Sequence, residues 1–338
     1  MTVRFIVPPV ARPVGGVGVA IEMAAALREA GIAADLVSGR RGYTYPHMTV
    51  PGLRYAHDAR LSDTAPPPRR FAGAALRYRR LVARAARRSS RLAPSDVVVV
   101  PEYAYADLAP RFPECRRVLL VQDVHGFARA VLADRTGVLD AFDAVLCTSD
   151  ASEAALRAVG CGDIRRVVLR VGRAGMGYRP DKRRRIAYMP RKRPHEAAFA
   201  AKLRRAAPEA AGFEITELTG MDDHALAEAL GETLLFLSFS DREGFGLPPA
   251  EALLCGCLVV GYDGVGGREY FDLDAARAVP DSDVVALVRT ARAVLAAYAE
   301  DPGPLDAQRR AASDAIATRY SAEAFAASVR HAFADLAG

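Results

Sequence analysis

Short apolar runs alternate with longer mixed stretches along the chain, and this alternation predicts buried strands separated by helices. The first run covers residues 3–7, and a second covers residues 33–37. Between them, the glycine-rich residues 15–18 predict a turn, and residues 19–30 predict a helix that ends at Gly31. A strand, a helix and a second strand in this order indicate a βαβ unit, whose strands are parallel and whose crossover is right-handed.

The pattern of apolar runs continues through the first half of the chain. Further buried strands are predicted at residues 96–100, 118–121, 144–147 and 164–169. Residues 43–70 show little periodicity and contain three consecutive prolines, so we expect a loop there. The glycine-rich residues 171–185 predict a linker, after which residues 185–189 begin a second series of strands and helices. The chain is therefore expected to form two α/β domains.

The tail of the chain predicts one more helix. Four apolar residues recur there at intervals of four, four and three, which places them on a single helical face: Phe325, Val329, Phe333 and Leu336. We therefore expect a C-terminal helix within residues 320–336.

A glycine turn at residues 244–246 joins a predicted buried strand, at residues 233–239, to a short helix. Pro248 and Pro249 suit the first positions of that helix, where a missing N–H group costs nothing, and the helix is expected to stop at Gly256. Its N-terminus directs unpaired N–H groups and the positive end of its dipole toward the turn, whose glycines allow close approach to the backbone. A phosphate group fits such a site.

Two carboxylates bracket this turn. Glu243 lies before it, and Glu251 is expected in the first turn of the helix. Because carboxylates only accept hydrogen bonds, they suit the hydroxyl groups of a sugar. The alternative for each residue taken alone is structural: Glu251 would complement the helix dipole, and Glu243 would be a solvated loop residue.

The Glu-x7-Glu spacing of Glu243 and Glu251, together with the block at residues 256–270, resembles the donor-site signature of the retaining GT-B glycosyltransferases of family 4. The resemblance implies an α/β fold of the GT-B type, in which two Rossmann-like domains turn their parallel sheets toward an interdomain cleft. We accordingly expect three parts: an N-terminal acceptor-side domain at residues 1–175, a C-terminal nucleotide-sugar donor domain at residues 176–315, and a final helix at residues 316–338 that crosses back to the N-terminal domain.

The resemblance also implies roles on the donor side. Glu243 would contact the transferred sugar, and Glu251 would hold the ribose of the nucleotide. The diphosphate would lie against Phe245, Gly246 and Leu247. The expected donor is therefore a nucleotide-diphosphate sugar.

A second set of glycines, Gly15, Gly16 and Gly18, follows the first predicted strand. The resemblance implies that this turn faces the cleft and approaches a phosphate of the acceptor or the donor. The residues alone leave an alternative open, because glycines at this point also permit tight packing between the strand and the helix.

Negative charge develops on the departing phosphate, and a site without metal has to stabilise it with cationic side chains and helix dipoles. The candidates follow the first strand of the second domain: Arg191 and Lys192 are expected to be catalytic, with Arg193 as a substitute. The family usually places an Arg and a Lys five residues apart here, whereas Glu196 stands five residues beyond Arg191. The sequence therefore does not decide which cation contacts phosphate, and a solvated basic turn is the alternative.

His125 stands just past the carboxyl end of the strand predicted at residues 118–121, where ligands of open α/β sheets gather. The resemblance implies that a histidine near this point faces the donor sugar. His125 is therefore a candidate to hold a sugar hydroxyl or to orient the acceptor. The alternative is a helix-capping or loop role for Asp123 and His125 together.

No metal or other cofactor is expected. Asp-x-Asp triplets, which bind metal in glycosyltransferases of the other major fold, occur at residues 272–274 and 281–283. Both follow the donor block, in positions typical of loops or helix caps. The five cysteines also lack the spacing of metal ligands.

Composition places the chain among globular proteins, since 51% of its 338 residues are hydrophobic and 25% are charged. The N-terminus shows no leader pattern, and no apolar run reaches the length of about 18 residues that a membrane span needs. We therefore expect a cytoplasmic protein.

Positive charge is concentrated in the first half of the chain. Residues 1–180 carry 27 arginines and 16 acidic residues, a net charge of +11. Five of these arginines recur at helical spacing: Arg77, Arg80, Arg84, Arg87 and Arg91. The stripe predicts an amphipathic helix at residues 77–91 whose basic face is solvated, or alternatively contacts anionic lipid at the inner face of the membrane or a phosphate-bearing acceptor.

With the resemblance, the sequence predicts a retaining, metal-independent hexosyltransferase. It would move a sugar from a nucleotide-diphosphate sugar to a hydroxyl acceptor, which could be a polysaccharide, a lipid-linked glycan or a small-molecule glycoside. An epimerase or a hydrolase of nucleotide sugars on the same scaffold is the alternative. A nucleic-acid-binding protein is less favoured, because no recognition motif with interleaved aromatic residues accompanies the arginines.

Overall fold

The computed structural model describes residues 1–11, 14–61, 92–133, 138–173, 175–190, 192–200, 202–206 and 208–336. The arginine-striped helix predicted at residues 77–91 and the candidate cation Arg191 lie outside the described residues.

The first domain is built on a parallel sheet that has seven strands among the described residues, in the order β3-β2-β1-β4-β5-β6-β7. The strands are β1 (Val3–Ile6), β2 (Ala34–Ser38), β3 (Tyr55–His57), β4 (Val97–Pro101), β5 (Arg116–Val121), β6 (Ala144–Cys147) and β7 (Ile164–Arg166). The α-helices in the described residues of this domain are α1 (Gly15–Glu29), α2 (Tyr105–Leu108), α3 (Val124–Ala133) and α4 (Asp150–Ala158). Continuous apolar runs such as β4 are buried along their whole length, as expected for strands covered on both faces.

Two predictions for this domain are wrong in detail. The loop expected at residues 43–70 contains the edge strand β3, which is too short to show a period of its own. The turn expected at residues 15–18 is instead the first turn of α1, which begins at Gly15 after an extended Val14. Glycine weakens a helix interior but is tolerated in the first turn, where the N–H groups have no partner within the helix in any case.

The second domain contains a smaller parallel sheet, with five strands in the described part of the chain, in the order β12-β11-β10-β8-β9. The strands are β8 (Arg183–Tyr188), β9 (Glu214–Glu217), β10 (Thr233–Phe239), β11 (Leu258–Tyr262) and β12 (Ala276–Ala278). The helices are α5 (Pro194–Ala200), α6 (Leu203–Ala206), α7 (Asp223–Glu232), α8 (Leu247–Leu254), α9 (Val284–Glu300), α10 (Pro302–Arg319) and α11 (Ala322–Phe333). The prediction of two α/β units with parallel sheets is thus confirmed.

Helix α11 packs on the first domain. The ring of Phe333 lies 6.0 Å from the ring of Phe5 in β1, and Val329 is fully buried. Just beyond the helix, the Asp335 carboxylate accepts hydrogen bonds from Arg165 in β7 at 2.5 and 2.9 Å. The C-terminal segment therefore ties the second half of the chain to the first sheet.

Arg309 of α10 is completely buried and ties this helix to the chain segment that follows α8. Its Nε donates to the Gly256 carbonyl at 2.6 Å, and one terminal nitrogen donates to the carbonyls of Arg179 and Pro180 at 3.1 and 3.2 Å. The other terminal nitrogen pairs with Asp306. A single guanidinium thus satisfies three backbone carbonyls, which helps to fix α8 in place.

We expect Arg309→Ala to lower the free energy of unfolding by about 3 kcal/mol, because buried carbonyls that lose their donors cost on the order of 1–3 kcal/mol each. Urea unfolding followed by circular dichroism measures the change. The matched control is Arg289→Ala on the exposed face of α9, for which a change within about 0.5 kcal/mol is expected. Equal effects of the two substitutions would contradict the anchoring role of Arg309.

Candidate functional site

The loop between β10 and α8 is shaped by the buried side chain of Tyr270. Its hydroxyl lies 3.1 Å from the Phe245 carbonyl and 2.5 Å from the Gly246 carbonyl, and donates to them. Gly246 has a φ of +87°, and a Cβ at this position would come within 2.8 Å of the Tyr270 hydroxyl. Glycine is therefore required here, both for the left-handed backbone and for the close approach.

Because these carbonyls point toward Tyr270, the N–H groups of the loop remain free to donate hydrogen bonds to a ligand. Within the described residues, the N–H groups of Phe245, Gly246 and Leu247 donate no hydrogen bond, and α8 begins at Leu247. They border the cavity described below. The N-terminus of α8 therefore offers unpaired donors and a positive dipole end to an anion.

Helix α8 matches its prediction except at one point. Pro248 and Pro249 are its second and third residues, and the helix ends before Gly256, whose φ is +79°. Glu251 is the fifth residue, so its expected place in the first turn is wrong by about one residue. The difference arises because the helix begins at Leu247, before the prolines.

A cavity of about 370 Å³ lies between the two domains, at the carboxyl ends of β1, β4, β5 and β10. The second domain contributes Lys192 and residues 243–248 to its wall. The first domain contributes the start of α1 and the residues that follow β4 and β5. Ligands of parallel α/β sheets bind at such edges.

The predicted glycines divide between two environments. Gly15 and Gly16 border the cavity, and the Gly16 carbonyl accepts a hydrogen bond from the side chain of Gln122 at 3.0 Å. Gly18 does not line the cavity among the described residues; a Cβ added there would lie 3.6 Å from the side chain of Met48. The structure therefore brings two of the three glycines to the cleft.

Glu243 and Lys192 form an ion pair at the edge of the cavity. The Glu243 carboxylate lies 2.9 Å from the Lys192 amine, and the Glu243 N–H donates to the Gly264 carbonyl at 2.8 Å. About a fifth of the Glu243 side chain is exposed, so both groups can be reached from solvent. A negative acceptor and a positive donor thus stand together beside the N-terminus of α8.

Arg193 is already engaged elsewhere. Its guanidinium pairs with Glu196, Asp241 and Asp281 at 3.0, 3.1 and 2.5 Å, and it lies over the ring of Tyr262 at 4.8 Å. Of the predicted cations that the structure describes, Lys192 is therefore the one that faces the cavity.

Glu251 lies apart from the cavity wall. It is only 2% exposed, and its carboxylate accepts a hydrogen bond from the Nε of Arg173 at 3.1 Å. Burial raises the pKa of Glu251, while the Arg173 guanidinium opposes that shift. Arg173 also pairs with Asp223 at the start of α7. Glu243 and Glu251 thus contact different cations, and only Glu243 borders the interdomain cavity.

His125 is the second residue of α3 and does not line the cavity among the described residues. Its backbone N–H and that of Gly126 donate to one carboxylate oxygen of Asp123 at 3.1 and 3.0 Å. Asp123 therefore has the capping role that was the structural alternative. The Nε2 atom of His125 is buried and has no hydrogen-bond partner in the described structure.

The cavity wall contains polar residues that the sequence did not single out, among them Glu102, Tyr103 and Gln122. Glu102 directly follows β4, and Gln122 directly follows β5. The rule that drew attention to His125, that ligands gather at the carboxyl ends of parallel strands, would have found them had it been applied to β4 as well.

Glu269, whose side chain is 7% exposed, connects the two domains. Its carboxylate accepts hydrogen bonds from the N–H of Asp150, from Arg166 and from the hydroxyl of Tyr320, at 2.9, 2.7 and 2.7 Å. Asp150 and Arg166 belong to the first domain, and Tyr320 follows α10. This cluster is a direct polar contact between the two domains.

Aspartates of both Asp-x-Asp triplets have partners within the protein. Asp283 caps α9 by accepting from the N–H of Ala286 at 2.8 Å, and Asp272 pairs with Arg319 at 3.1 Å. In the described part of the chain, no three acidic, histidine or cysteine side chains converge as a metal site would require. Within the same residues, no helix combines the length and the apolar character needed to cross a membrane.

Comparison with known proteins adds two findings. Residues 211–315 match the family model of the glycosyl transferases group 1, a segment that contains Glu243, Glu251 and the whole of α8. No curated protein matches the sequence.

Solved structures resemble the whole chain. Sucrose-phosphate synthase from Thermosynechococcus elongatus superposes with a TM-score of 0.67 at 17% identity, covering 99% of this chain and 98% of that chain. HepE of Anabaena, solved with UDP and glucose, superposes with a TM-score of 0.65 at 13% identity, covering 99% of both chains. TarM of S. aureus, solved as a variant with fondaparinux, α-GlcNAc-glycerol and UDP, gives 0.66 at 11% identity and 100% coverage of both.

At these levels of identity the structural likeness establishes the fold, which is the GT-B fold of glycosyltransferases, as predicted. The group 1 match adds the class of enzyme, because it covers the segment that carries the bracketed glycine turn. The prediction that this chain is a glycosyltransferase of the GT-B fold is therefore confirmed.

Proposed function

We propose that this enzyme transfers a hexosyl group from a nucleotide-diphosphate sugar to a hydroxyl acceptor, with retention of anomeric configuration and without a metal ion. The observation that carries the proposal is the interdomain cavity, where unpaired N–H groups at the start of α8 adjoin the ion pair of Lys192 and Glu243.

The diphosphate of the donor is assigned to the N-terminus of α8. The N–H groups of Phe245, Gly246 and Leu247 supply donors, the helix dipole favours negative charge, and Lys192 supplies a full positive charge. These groups are in place before reaction, so they stabilise the charge that develops on the departing phosphate without reorganising.

The sugar of the donor is assigned to Glu243, whose carboxylate accepts hydrogen bonds from hydroxyl groups at the cavity edge. In a retaining transfer, the bond between the anomeric carbon and the phosphate oxygen breaks, and the acceptor oxygen bonds to that carbon on the same face. The departing phosphate takes the acceptor proton, and no side chain needs to act as a covalent nucleophile. HepE, which shares the fold, was solved with UDP and glucose, which makes UDP-glucose the first donor to test.

The ribose is assigned to Glu251, and this assignment requires a change at Arg173. The Arg173 side chain is 44% exposed and contacts the buried carboxylate, so it can swing toward solvent or share the carboxylate with the ribose hydroxyls. The nucleotide would then take over hydrogen bonds that Arg173 makes in the free protein.

The direct test is to incubate the protein with UDP-glucose, or with the donor that gives the largest rise in melting temperature among UDP-, GDP-, ADP- and dTDP-sugars. Nuclear magnetic resonance then identifies the product and its anomeric configuration, with and without excess EDTA. An α-linked product from an α-linked donor, formed in EDTA, is expected. Free sugar or an epimerised donor formed equally well without acceptor would contradict transfer, and an inverted product would contradict retention.

We expect Glu251→Gln to weaken the binding of the corresponding nucleoside diphosphate by about 10- to 100-fold, because hydrogen bonds to a charged partner are worth about 1.5–3 kcal/mol. Isothermal titration calorimetry measures the dissociation constant. Glu228→Gln on the exposed face of α7 is the control, with no change expected. Unchanged affinity in the Glu251 variant would show that the ribose lies elsewhere.

A further inference from the structure

The charges on the two walls of the interdomain cavity differ in a way that bears on the acceptor. The first 180 residues carry a net charge of +11. Yet among the described residues of this half, the charged side chains that border the cavity are two, and both are acidic: Glu102 and Asp123. The cavity wall thus has the opposite sign to the domain that forms it.

Glu102 presents a buried carboxylate to the cavity. It is 9% exposed, directly follows β4, and lines the cavity. Its Oε2 atom is buried and has no hydrogen-bond partner within the described structure. Burying a carboxylate oxygen without a hydrogen-bond donor costs free energy. We therefore expect a ligand to supply the donor.

Asp123 is close enough to Glu102 for the two carboxylates to interact. Burial raises the pKa of Glu102, the backbone N–H groups of Glu102, Gln122 and Asp123 oppose that rise, and the negative charge of Asp123 adds to it. One oxygen of Asp123 caps α3, as described above. Glu102 is buried and Asp123 is exposed, so two negative charges face the same part of the cavity, and a positive charge beside them would relieve their repulsion.

The donor-binding groups do not supply that charge. Lys192 stands on the wall of the second domain and pairs with Glu243 there. The proposed diphosphate site also lies on that wall, at the start of α8. The acidic pair therefore lies on the wall opposite the proposed donor site, and we assign that side of the cavity to the acceptor.

We propose that the acceptor is a hydroxyl compound that carries a protonated amine, such as an amino sugar or an aminocyclitol, and that Glu102 and Asp123 bind its ammonium group. The inference rests on the proposed glycosyl transfer and names the substrate class for it. An ammonium group supplies N–H donors and positive charge together, which satisfies the orphan oxygen of Glu102 and relieves the repulsion. Phosphate-bearing acceptors, including lipid phosphates, are disfavoured by the same pair.

The test uses matched ligand pairs that differ only by replacement of hydroxyl groups with amines: glucosamine with glucose, and streptamine with scyllo-inositol. Each is titrated by calorimetry into protein saturated with UDP, in EDTA. The amine of at least one pair is expected to bind at least about tenfold more tightly than its neutral partner. If neither amine binds more tightly than its partner, the inference is overturned even without any variant.

Variants then locate the effect. Glu102→Gln should lower the ratio of amine affinity to neutral-ligand affinity by about tenfold, and Asp123→Asn should lower it by less. Glu29→Gln, which replaces an exposed acid at the end of α1, should leave the ratio unchanged. Binding of UDP should be unchanged in all three, and thermal unfolding checks that each is folded. An amine preference that survives both cavity substitutions would overturn the assignment to these residues.

Two further outcomes separate the alternatives. Titration of Mg²⁺ into the metal-free protein shows whether the pair holds a metal ion; tight binding that is lost in Glu102→Gln would overturn the amine proposal. If the wild-type protein binds UDP and transfers sugar but shows no preference for amines, this inference alone fails. If it binds no nucleotide and transfers no sugar, the proposed function fails.

Discussion

Lys192→Ala is expected to lower kcat/KM for sugar transfer by about 100- to 1000-fold, the range typical of removing one preorganised group that stabilises developing charge. Lys192 is the described cation that faces the interdomain cavity beside the N-terminus of α8. The loss of Lys192 would remove the positive charge that stabilises the departing phosphate. It would also leave the Glu243 carboxylate, 2.9 Å away in the wild type, without its counter-ion.

The substitution Lys192→Arg separates charge from packing. It keeps the positive charge with a different shape, so we expect it to recover part of the lost rate but not all of it. The matched control is Lys202→Ala, an exposed lysine of the same domain, for which kcat/KM should stay within about twofold. Steady-state kinetics with the donor identified by thermal stabilisation provides the measurement.

The outcome also bears on Arg193. If Lys192→Ala kept kcat/KM within about threefold of wild type, the departing phosphate would have to be stabilised by another cation. Arg193 is bound to three acids, so using it would require breaking the cluster with Asp241 and Asp281. Such a result would overturn the assignment of the diphosphate to Lys192.

The elements of this fold could be predicted where the sequence signal is local. Strands such as β4 and β10 are unbroken apolar runs, and α8 has prolines at its start and a glycine after its end, so each could be located from a few residues. The edge strand β3 could not, because three half-buried residues carry no period and pair only with β2.

The candidate site shows the same division. The loop that bears Glu243 follows from its glycines and prolines, which are local features. That Glu251 would be covered by Arg173 could not be predicted, since the two residues are 78 positions apart and nothing in either segment indicates the contact. The same holds for Arg193, whose partners come from three different segments.

The acidic wall of the cavity shows what overall charge conceals. The arginine excess of the first half left an anionic partner open as an alternative, yet the charged side chains that the described residues of this half bring to the cavity are Glu102 and Asp123. Charge summed over a domain describes its average field, whereas a binding site depends on the few groups at the ends of particular strands.

Gly244→Ala is the second substitution for which a large loss is expected, with kcat/KM falling by about 100-fold or more. A Cβ at this position would lie 1.9 Å from the carbonyl oxygen of Gln122, which belongs to the other domain. The obstacle is backbone at the end of β5, which cannot rotate away as a flexible side chain would. The methyl group would therefore force the donor loop and the first domain apart.

The physical reason for the loss is misplacement rather than missing chemistry. The Gly244 carbonyl accepts a hydrogen bond from the hydroxyl of Ser152 at 3.3 Å, so this glycine contacts the first domain at two points. A shift of about 1 Å in reacting groups can cost on the order of 100-fold in rate. Because the proposed donor site lies mainly on the second domain, the affinity for UDP should change by less than about tenfold.

Gly162→Ala is the matched control, because a Cβ at that position meets no atom within 4 Å and its backbone is not left-handed. Kinetics, calorimetry with UDP and small-angle X-ray scattering together distinguish the possible causes. A fall in kcat/KM with retained UDP binding and an increased radius of gyration is expected for Gly244→Ala alone. Full activity with an unchanged radius of gyration would show that contact between Gly244 and Gln122 does not set the spacing of the cleft.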